Sequence, residues 1–163
     1  MTTLILLVVS VLLAGIVTYY ATNITMTRTR QEEVQLIYLH CWVDSDGEAS
    51  AAFKIKNVGS KDILLDEIAV RGVESDWNKI YFNDTTVSDT GLSWINMTDT
   101  AELGKFEVNA TQDVPLESSG EMAVYLKDPP NIELSDIGTT VSICVYTMNG
   151  QWIEEVNVEY AGQ

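Results

Sequence analysis

Few residues in this chain have the types and spacing that catalysis requires. His40 is the single histidine, and it lies in an alternating segment beside Trp42. A catalytic triad needs a nucleophile and a carboxylate that converge on the histidine, and no nucleophile-elbow motif occurs in the sequence. The sequence therefore predicts no catalytic residue and no enzymatic activity.

The acidic segment 44–48 begins like a calcium-binding loop. The EF-hand pattern requires glycine at its sixth position and glutamate at its twelfth, where this chain has Ala49 and Ile55. A β-hairpin turn is therefore the favoured interpretation, with weak and unspecific binding of divalent cations as the alternative. We expect no metal site and no cofactor.

The two cysteines, Cys41 and Cys144, are far apart and lack the spacing of metal ligands. One interpretation is a disulfide that joins an early strand to a late strand in an oxidising compartment. The other is a pair of small, buried apolar side chains. The disulfide is the favoured interpretation of the two.

Four N-x-Thr sequons occur in the chain, at Asn23, Asn83, Asn96 and Asn109. Chance predicts roughly one or two such sequons, so we expect N-glycosylation of at least one of them. The alternative is that asparagine and threonine both concentrate in loops. Asn23 is the most informative site, because a glycan there requires the polar half of the N-terminal segment to lie outside the membrane.

The formal net charge of −15 is confined to the part of the chain after His40. Before that residue, the charges of Arg28 and Arg30 cancel those of Glu32 and Glu33. An exterior this acidic repels phosphate backbones and anionic lipid surfaces, so we expect no binding to nucleic acid.

The N-terminal segment is apolar enough to lie in a membrane. No charged residue occurs from Met1 to Thr27, and Leu4 to Ala21 is almost wholly apolar. About 20 helical residues span the roughly 30 Å of a bilayer's hydrocarbon. A secretory signal peptide has a basic start and a shorter apolar run, so the pattern does not indicate cleavage after this segment. One explanation of the missing basic residues is that a short basic leader is removed before residue 1.

Small residues form an i, i+4 row within this apolar segment. The row consists of Ser10, Ala14, Thr18 and Thr22, with Gly15 beside it. Small residues let apolar helices approach closely, so the row favours helix–helix assembly. A chance scatter of small residues is an equally good explanation.

The remainder of the chain is predicted to be a β-domain. The helix continues to about Glu33, and from Val34 the apolar residues recur at every second position, with Ile37, Leu39, Cys41 and Val43 on one face of the first strand. Seven or eight short strands follow, and Asn149-Gly150 is the strongest hairpin signal. The predicted fold class is α+β: residues 1–33 form a hydrophobic helix, and residues 34–163 form an all-β, Ig-like sandwich.

These features resemble the subunits of archaeal type IV filaments, the adhesive pilins and archaellins. The likeness is carried by the stretches TTLILLVVSVLLAGIVTYY, FKIKNVGSKDILLDEIAV and VSICVYTMNGQWIEEVNV. The resemblance implies a leader that a dedicated peptidase removes, a membrane-inserted subunit, and an assembly machinery that moves it into an extracellular helical homopolymer. Bacterial pilins typically have an acidic residue at the position of Ile5, which argues mainly against the bacterial branch.

Three functions fit this sequence. An adhesive pilus is favoured over a swimming filament because the head is short and the Gly-rich opening of archaellins is missing. A monomeric surface protein with one membrane anchor and a β-domain that binds a ligand is the alternative of another class. A simple anchor, however, has its basic residues on the cytoplasmic side, and here Arg28 and Arg30 lie on the side of the head. That arrangement favours a cytoplasmic head, which contradicts the sequons, since glycosylation requires them to lie outside the membrane.

Overall fold

The structure, a computed structural model, describes residues 2–29, 32–83, 91–97, 104–108 and 113–161. By its internal contacts the chain divides into two compact units, Met1–Gln31 and Glu32–Gln163. The first unit contains the helix α1, Thr2–Thr29, which has no proline and a single glycine in its sequence. The second unit is the head.

The helix ends at Thr29, before the position near Glu33 that the sequence predicted. The carbonyl of Glu33 instead accepts the backbone N–H groups of Val58 and Gly59 at 2.9 and 3.1 Å. The Glu32 carboxylate accepts hydrogen bonds from Thr147 at 2.7 Å and Asn149 at 2.6 Å. These bonds to the head hold the two glutamates in a non-helical conformation.

Besides two short 3₁₀ helices, Trp77–Lys79 and Leu134–Asp136, the described part of the head contains ten strands. They are β1 Val34–Val43, β2 Ala49–Asn57, β3 Ile63–Val70, β4 Val73–Glu74, β5 Ile80–Asn83, β6 Glu107–Val108, β7 Val114–Leu116, β8 Glu121–Lys127, β9 Thr140–Thr147 and β10 Gln151–Tyr160. Their hydrogen-bonded order is β4-β3-β9-β10-β1-β2-β8-β5-β6, and β7 pairs with β3. The β1–β10 pair is parallel, and the other described pairs are antiparallel.

The α+β class is confirmed, with one apolar helix before a mostly β head. The strands lie on one continuous path that forms a curled sheet, so the Ig-like sandwich stays a prediction. The hairpin at Asn149-Gly150 is confirmed as the connection between β9 and β10. Strands β4 and β7 were not predicted, because two or three residues are too few to show an alternating pattern.

A bulge in β1 changes which residues face the core. The pairing of β1 with β2 shifts between Ile37 and His40, and Tyr38 has a φ of 55°. Val34 and Leu36 are buried before the bulge, whereas Cys41 and Val43 are buried after it. The predicted single face from Ile37 to Val43 is therefore wrong for Ile37, since the bulge interrupts the alternation.

Two apolar clusters hold the head together. The main core includes the fully buried side chains Phe53, Ile55, Leu65, Ile68, Ile80, Leu126 and Ile143. A smaller cluster uses the alternate positions of β2 and β8, where Ala52, Ala123 and Tyr125 pack with Leu92 and Met97. The segment 91–97 thus covers part of the second face of the sheet.

Asn57 joins two turns at one end of the head. It is fully buried, and its side-chain amide donates to the carbonyls of Lys61 at 2.8 Å, Glu117 at 3.0 Å and Leu116 at 3.3 Å. Its side-chain oxygen accepts the N–H of Gly59 at 3.0 Å. One side chain therefore connects the β2–β3 turn to the β7–β8 turn.

We expect Asn57→Ala to lower the free energy of unfolding by about 2–3 kcal/mol, because it removes these bonds and leaves buried carbonyls without donors. Denaturant unfolding of the full chain in neutral detergent, followed by tryptophan fluorescence, measures this loss. Asn78→Ala, at an exposed site, is the control. An equal effect of the two substitutions would contradict the structural role of Asn57.

Candidate assembly surface and modification sites

The helix α1 presents an uncovered apolar surface. Thr2–Met26 is long and apolar enough to cross a membrane, and none of it is buried within the chain. Its large apolar side chains are between 46% and 69% exposed. An exposed apolar surface of this extent marks a site of contact with lipid or with other protein.

The five residues of the predicted assembly row all lie on the surface of α1. Ser10, Ala14, Thr18 and Thr22 follow one another at single-turn spacing and are exposed. Gly15 is also exposed, and a Cβ atom added to it would have nothing within 4 Å. The row is therefore a shallow strip along one side of the helix.

Four hydroxyl groups of α1 form hydrogen bonds within the helix itself. The hydroxyl of Ser10 donates to the carbonyl of Leu7, and those of Thr18, Thr22 and Thr25 donate to the carbonyls four residues earlier, all at 2.8 Å. No other partner is needed for these hydroxyl protons in a dry environment. The helix is therefore chemically suited both to lipid and to an apolar helix bundle.

The sequons differ in accessibility. Asn23 is exposed on α1, and Asn96 is exposed between the half-buried Ile95 and the buried Met97. Asn83 ends β5, is half-buried, and its amide donates to the carbonyl of Lys105 at 3.4 Å. Asn109 lies outside the described residues. Asn23 and Asn96 are therefore the more exposed of the three asparagines that the structure describes.

The predicted disulfide is not present, since Cys41 and Cys144 are both free thiols. Cys41 lies opposite Val158 of β10, whereas Cys144 lies opposite Ile153 of the same strand. Val158 and Ile153 are an odd number of residues apart, so the two thiols are on opposite faces of the sheet. The interpretation as two buried apolar side chains agrees with the structure.

We expect Cys41 to react with iodoacetamide only after the head unfolds. Burial, together with the charges of Asp136 and Glu159, raises the pKa of the Cys41 thiol to about 12, and the thiolate is the reactive form. Mass spectrometry of the non-reduced protein should show two alkylated cysteines after denaturation. A mass two hydrogens lower, with no alkylation, would indicate a disulfide instead.

His40 and the acidic segment have structural roles. The His40 ring stacks on Trp42 with centroids 5.0 Å apart, and its Nδ1 lies 3.8 Å from Glu159. The carboxylate of Asp44 accepts the N–H groups of Asp46 and Glu48 at 2.9 Å, which closes the β1–β2 turn. The hairpin interpretation of this segment is thus confirmed.

Sequence reasoning missed two charged clusters. Lys54 is only 3% exposed, and its ammonium lies 2.5 Å from the Glu121 carboxylate, which also contacts Lys56 at 2.7 Å. The other cluster joins Glu32 to Lys61, whose ammonium lies 3.8 Å from the carboxylate. Burial raises the pKa of Glu32, but the bonds from Thr147 and Asn149 and the charge of Lys61 outweigh it, so the pKa is lowered. The alternation around Lys54 predicted only a polar face, and no local signal indicated its burial.

Comparison with known proteins finds a solved structure of similar fold and assigns no family. No protein-family model matches the sequence, and no curated protein sequence does so either. The structure titled apo PmoF2 PCuAC domain is similar, with a TM-score of 0.50 and 11% identity over 82% of this chain and 98% of that one. At this identity the likeness concerns the fold alone.

A second solved structure is a beta-glucosidase from Listeria innocua in complex with glucose. It has a TM-score of 0.29 and 15% identity, and it matches 79% of this chain but only 16% of its own length. With so low a TM-score, the likeness says nothing about the function of this chain.

Proposed function

We propose that this chain is a structural subunit of an extracellular, archaeal type IV pilus-like filament. The observation that carries the proposal is the helix α1, whose segment Thr2–Met26 is long and apolar enough to cross a membrane and whose large apolar side chains are exposed. Copies of α1 form the core of the filament, and the β-heads lie outside it. The subunit has no catalytic role.

The chemistry of α1 supports movement from membrane to filament. Lipid and a bundle of identical helices both keep its apolar side chains away from water, so transfer between them costs little free energy. The self-bonded hydroxyls of Ser10, Thr18 and Thr22 fit both settings. Because hydrophobicity does not favour the bundle over lipid, close packing must drive the helices together, and the small-residue row permits that packing.

The proposed assembly requires partners both before the subunit enters the filament and within the filament. A leader peptidase and a pilus assembly machinery process the subunit and extract it, and further copies of the chain are its partners in the filament. When the same contact repeats between subunits and its rotation does not close into a ring, the copies form an open helical filament. The head, whether a curled sheet or an Ig-like sandwich, then faces the medium with its negative charge and its glycans.

An adhesive pilus is the favoured form of this filament, with an archaellum as its variant. A monomeric, membrane-anchored surface protein is the second candidate. It is favoured by Tyr19 and Tyr20, which lie at the end of the apolar run with ring centroids 6.0 Å apart, since tyrosine is enriched at membrane–water interfaces.

Electron microscopy of surface material, with N-terminal sequencing of its subunits, distinguishes these candidates. We expect filaments that contain this chain. Recovery of the chain only as a detergent-soluble monomer, with no filament that contains it, would favour the anchored protein.

We expect a glycan on at least one accessible sequon. Mass spectrometry of peptides from the surface protein should show an added glycan mass on Asn23 or Asn96, which enzymatic or chemical deglycosylation removes. Unmodified masses for all four sequon peptides would contradict the proposed glycosylation.

A further inference from the structure

One side of β10 has no partner strand over most of its length. Residues 151–157 pair with β9, and residues 158–160 pair with β1. Across the described ranges of the chain, no strand pairs with the other side of residues 151–156, which we call the free edge of β10. The two ends of the strand path, β4 and β6, are only two residues long and present little backbone by comparison.

The hydrogen-bond pattern of β10 shows which backbone groups its free edge presents. The N–H of Val158 donates to the carbonyl of Thr139, just before β9, so the even-numbered residues of β10 point toward β9. In an antiparallel pair the residues between them point the opposite way. The free edge therefore presents the N–H and C=O groups of Gln151, Ile153 and Glu155.

The main core is incompletely covered beside the same edge. Among the described residues, three half-buried apolar side chains pack against this core, and all three belong to β1 or β10: Leu39, Trp152 and Val156. Ile153, on the outer face of β10, is 55% exposed. Unpaired backbone groups and apolar side chains thus occur together. One added strand satisfies both, because it pairs with the backbone and covers the side chains.

The side chains of β1 and β10 indicate the charge of a strand that fits this edge. The carboxylates of Glu154, Glu155 and Glu159 on β10 are exposed, and neither strand contains a lysine or an arginine. A second copy of β10 would place like charges opposite each other, which destabilises strand pairing. The free edge therefore favours a basic partner over another copy of this chain.

We propose that the free edge of β10 binds an extended peptide segment of a partner protein, in which apolar residues alternate with lysine or arginine. The segment adds to β10 as a further strand. Its apolar side chains cover Trp152 and Val156, and its basic side chains lie beside Glu155 on the outer face. The proposal does not depend on the filament, because residues of the head alone form the edge.

Titration of the full chain in neutral detergent with the acetylated and amidated peptide KVKVKVK tests this proposal. We expect saturable NMR shifts of the amides of residues 151–156 and of the Trp152 indole. The peptide EVEVEVE, which has glutamate in place of lysine, should cause none. Equal responses to the two peptides would overturn the proposal. Shifts of the same amides on raising the protein concentration without peptide would identify a second copy as the occupant and would also overturn it.

Two N-methylated forms of KVKVKVK test whether the backbone of the peptide makes the contact. Alternate residues of a strand direct their N–H groups to opposite edges, so methylation of every lysine blocks one edge and methylation of every valine blocks the other. Because only one edge meets β10, we expect the two forms to differ in affinity by at least about tenfold. Equal affinities would show that pairing of strands is not the mode of binding and would overturn the proposal.

Ile153→Pro tests the same contact from the side of the head. Proline has no N–H, and the N–H lost at this position belongs to the free edge and not to the ladder with β9. Binding of KVKVKVK should weaken at least about tenfold, whereas Ile153→Ala, which keeps the N–H, should weaken it about threefold at most. Equal weakening by the two variants would contradict the proposal. The methylated peptides make the same test on the unaltered protein, in case proline disturbs the fold of the head.

Glu155→Lys should reverse the preference of the edge for a basic peptide. The Kd for EVEVEVE divided by the Kd for KVKVKVK should fall at least about fivefold, because unlike charges across a strand pair become like charges. Glu107→Lys makes the same change on the exposed strand β6, at the far end of the strand path, and should leave this ratio within about twofold. Equal changes by both variants would reduce the preference to the overall charge of the head and would overturn the proposal.

Discussion

An Ala14→Leu variant is expected to accumulate in the membrane and to form no filaments. Ala14 lies in the middle of the small-residue row, on an exposed part of α1. Leucine adds bulk where two helices are proposed to touch, and such overpacking costs about 1–3 kcal/mol per contact. Because the contact recurs at every subunit, we expect the yield of filaments to fall at least about tenfold.

Membrane insertion should survive this substitution, because leucine is at least as apolar as alanine. The hydroxyl of Thr18 bonds to the backbone carbonyl of residue 14, which the substitution preserves. Fractionation of membranes and counting of filaments by electron microscopy measure the two effects separately. Ala14→Ser, which keeps a small side chain, is the control, and filaments of normal yield from Ala14→Leu would show that the row is not an interface.

Glu121→Gln is expected to lower the free energy of unfolding of the head by about 3 kcal/mol. The substitution leaves the ammonium of Lys54, which is 3% exposed, without its carboxylate 2.5 Å away. Removing one member of a buried ion pair costs about 3–5 kcal/mol, and we take the lower value because the Glu121 side chain is 25% exposed.

Denaturant unfolding of the full chain in detergent measures this effect. Glu117→Gln, in the adjoining turn, removes the same charge from an exposed site and should change the stability by less than about 0.5 kcal/mol. The double variant Lys54→Met/Glu121→Gln should recover most of the loss, because it replaces the buried charge with an apolar side chain. A double variant no more stable than Glu121→Gln would show that the loss does not come from the unpaired lysine.

The ion pair of Lys54 and Glu121 makes the stability of the head sensitive to acid. Hydrogen bonds from Lys54 and Lys56 lower the pKa of Glu121 from 4.5, and they outweigh its burial, which raises it. A carboxyl group whose pKa is lowered in the folded state contributes stability above pH 4.5. That stability is lost as the pH falls through the pKa of the folded state. The difference between the wild type and Glu121→Gln should therefore shrink below pH 4.5, and a constant difference would contradict this linkage.

Local patterns determined the outline of the fold. The uncharged apolar run predicted α1, the alternation predicted the longer strands, and Asn149-Gly150 predicted the last hairpin. Each of these signals lies within a few residues of the element it describes. For the same reason, the spacing of Ser10, Ala14, Thr18 and Thr22 was enough to place them along one side of α1, whereas their role in assembly stays a prediction.

Only the tertiary structure decided the features that depend on pairing between distant segments. The bulge at Tyr38 and the register of β10 place Cys41 and Cys144 on opposite faces, which no spacing in the sequence revealed. The burial of Lys54 and the ion pair of Lys79 with Asp128 have the same origin. A strand's own alternation says which residues share a face, whereas strand order and register decide what each face meets.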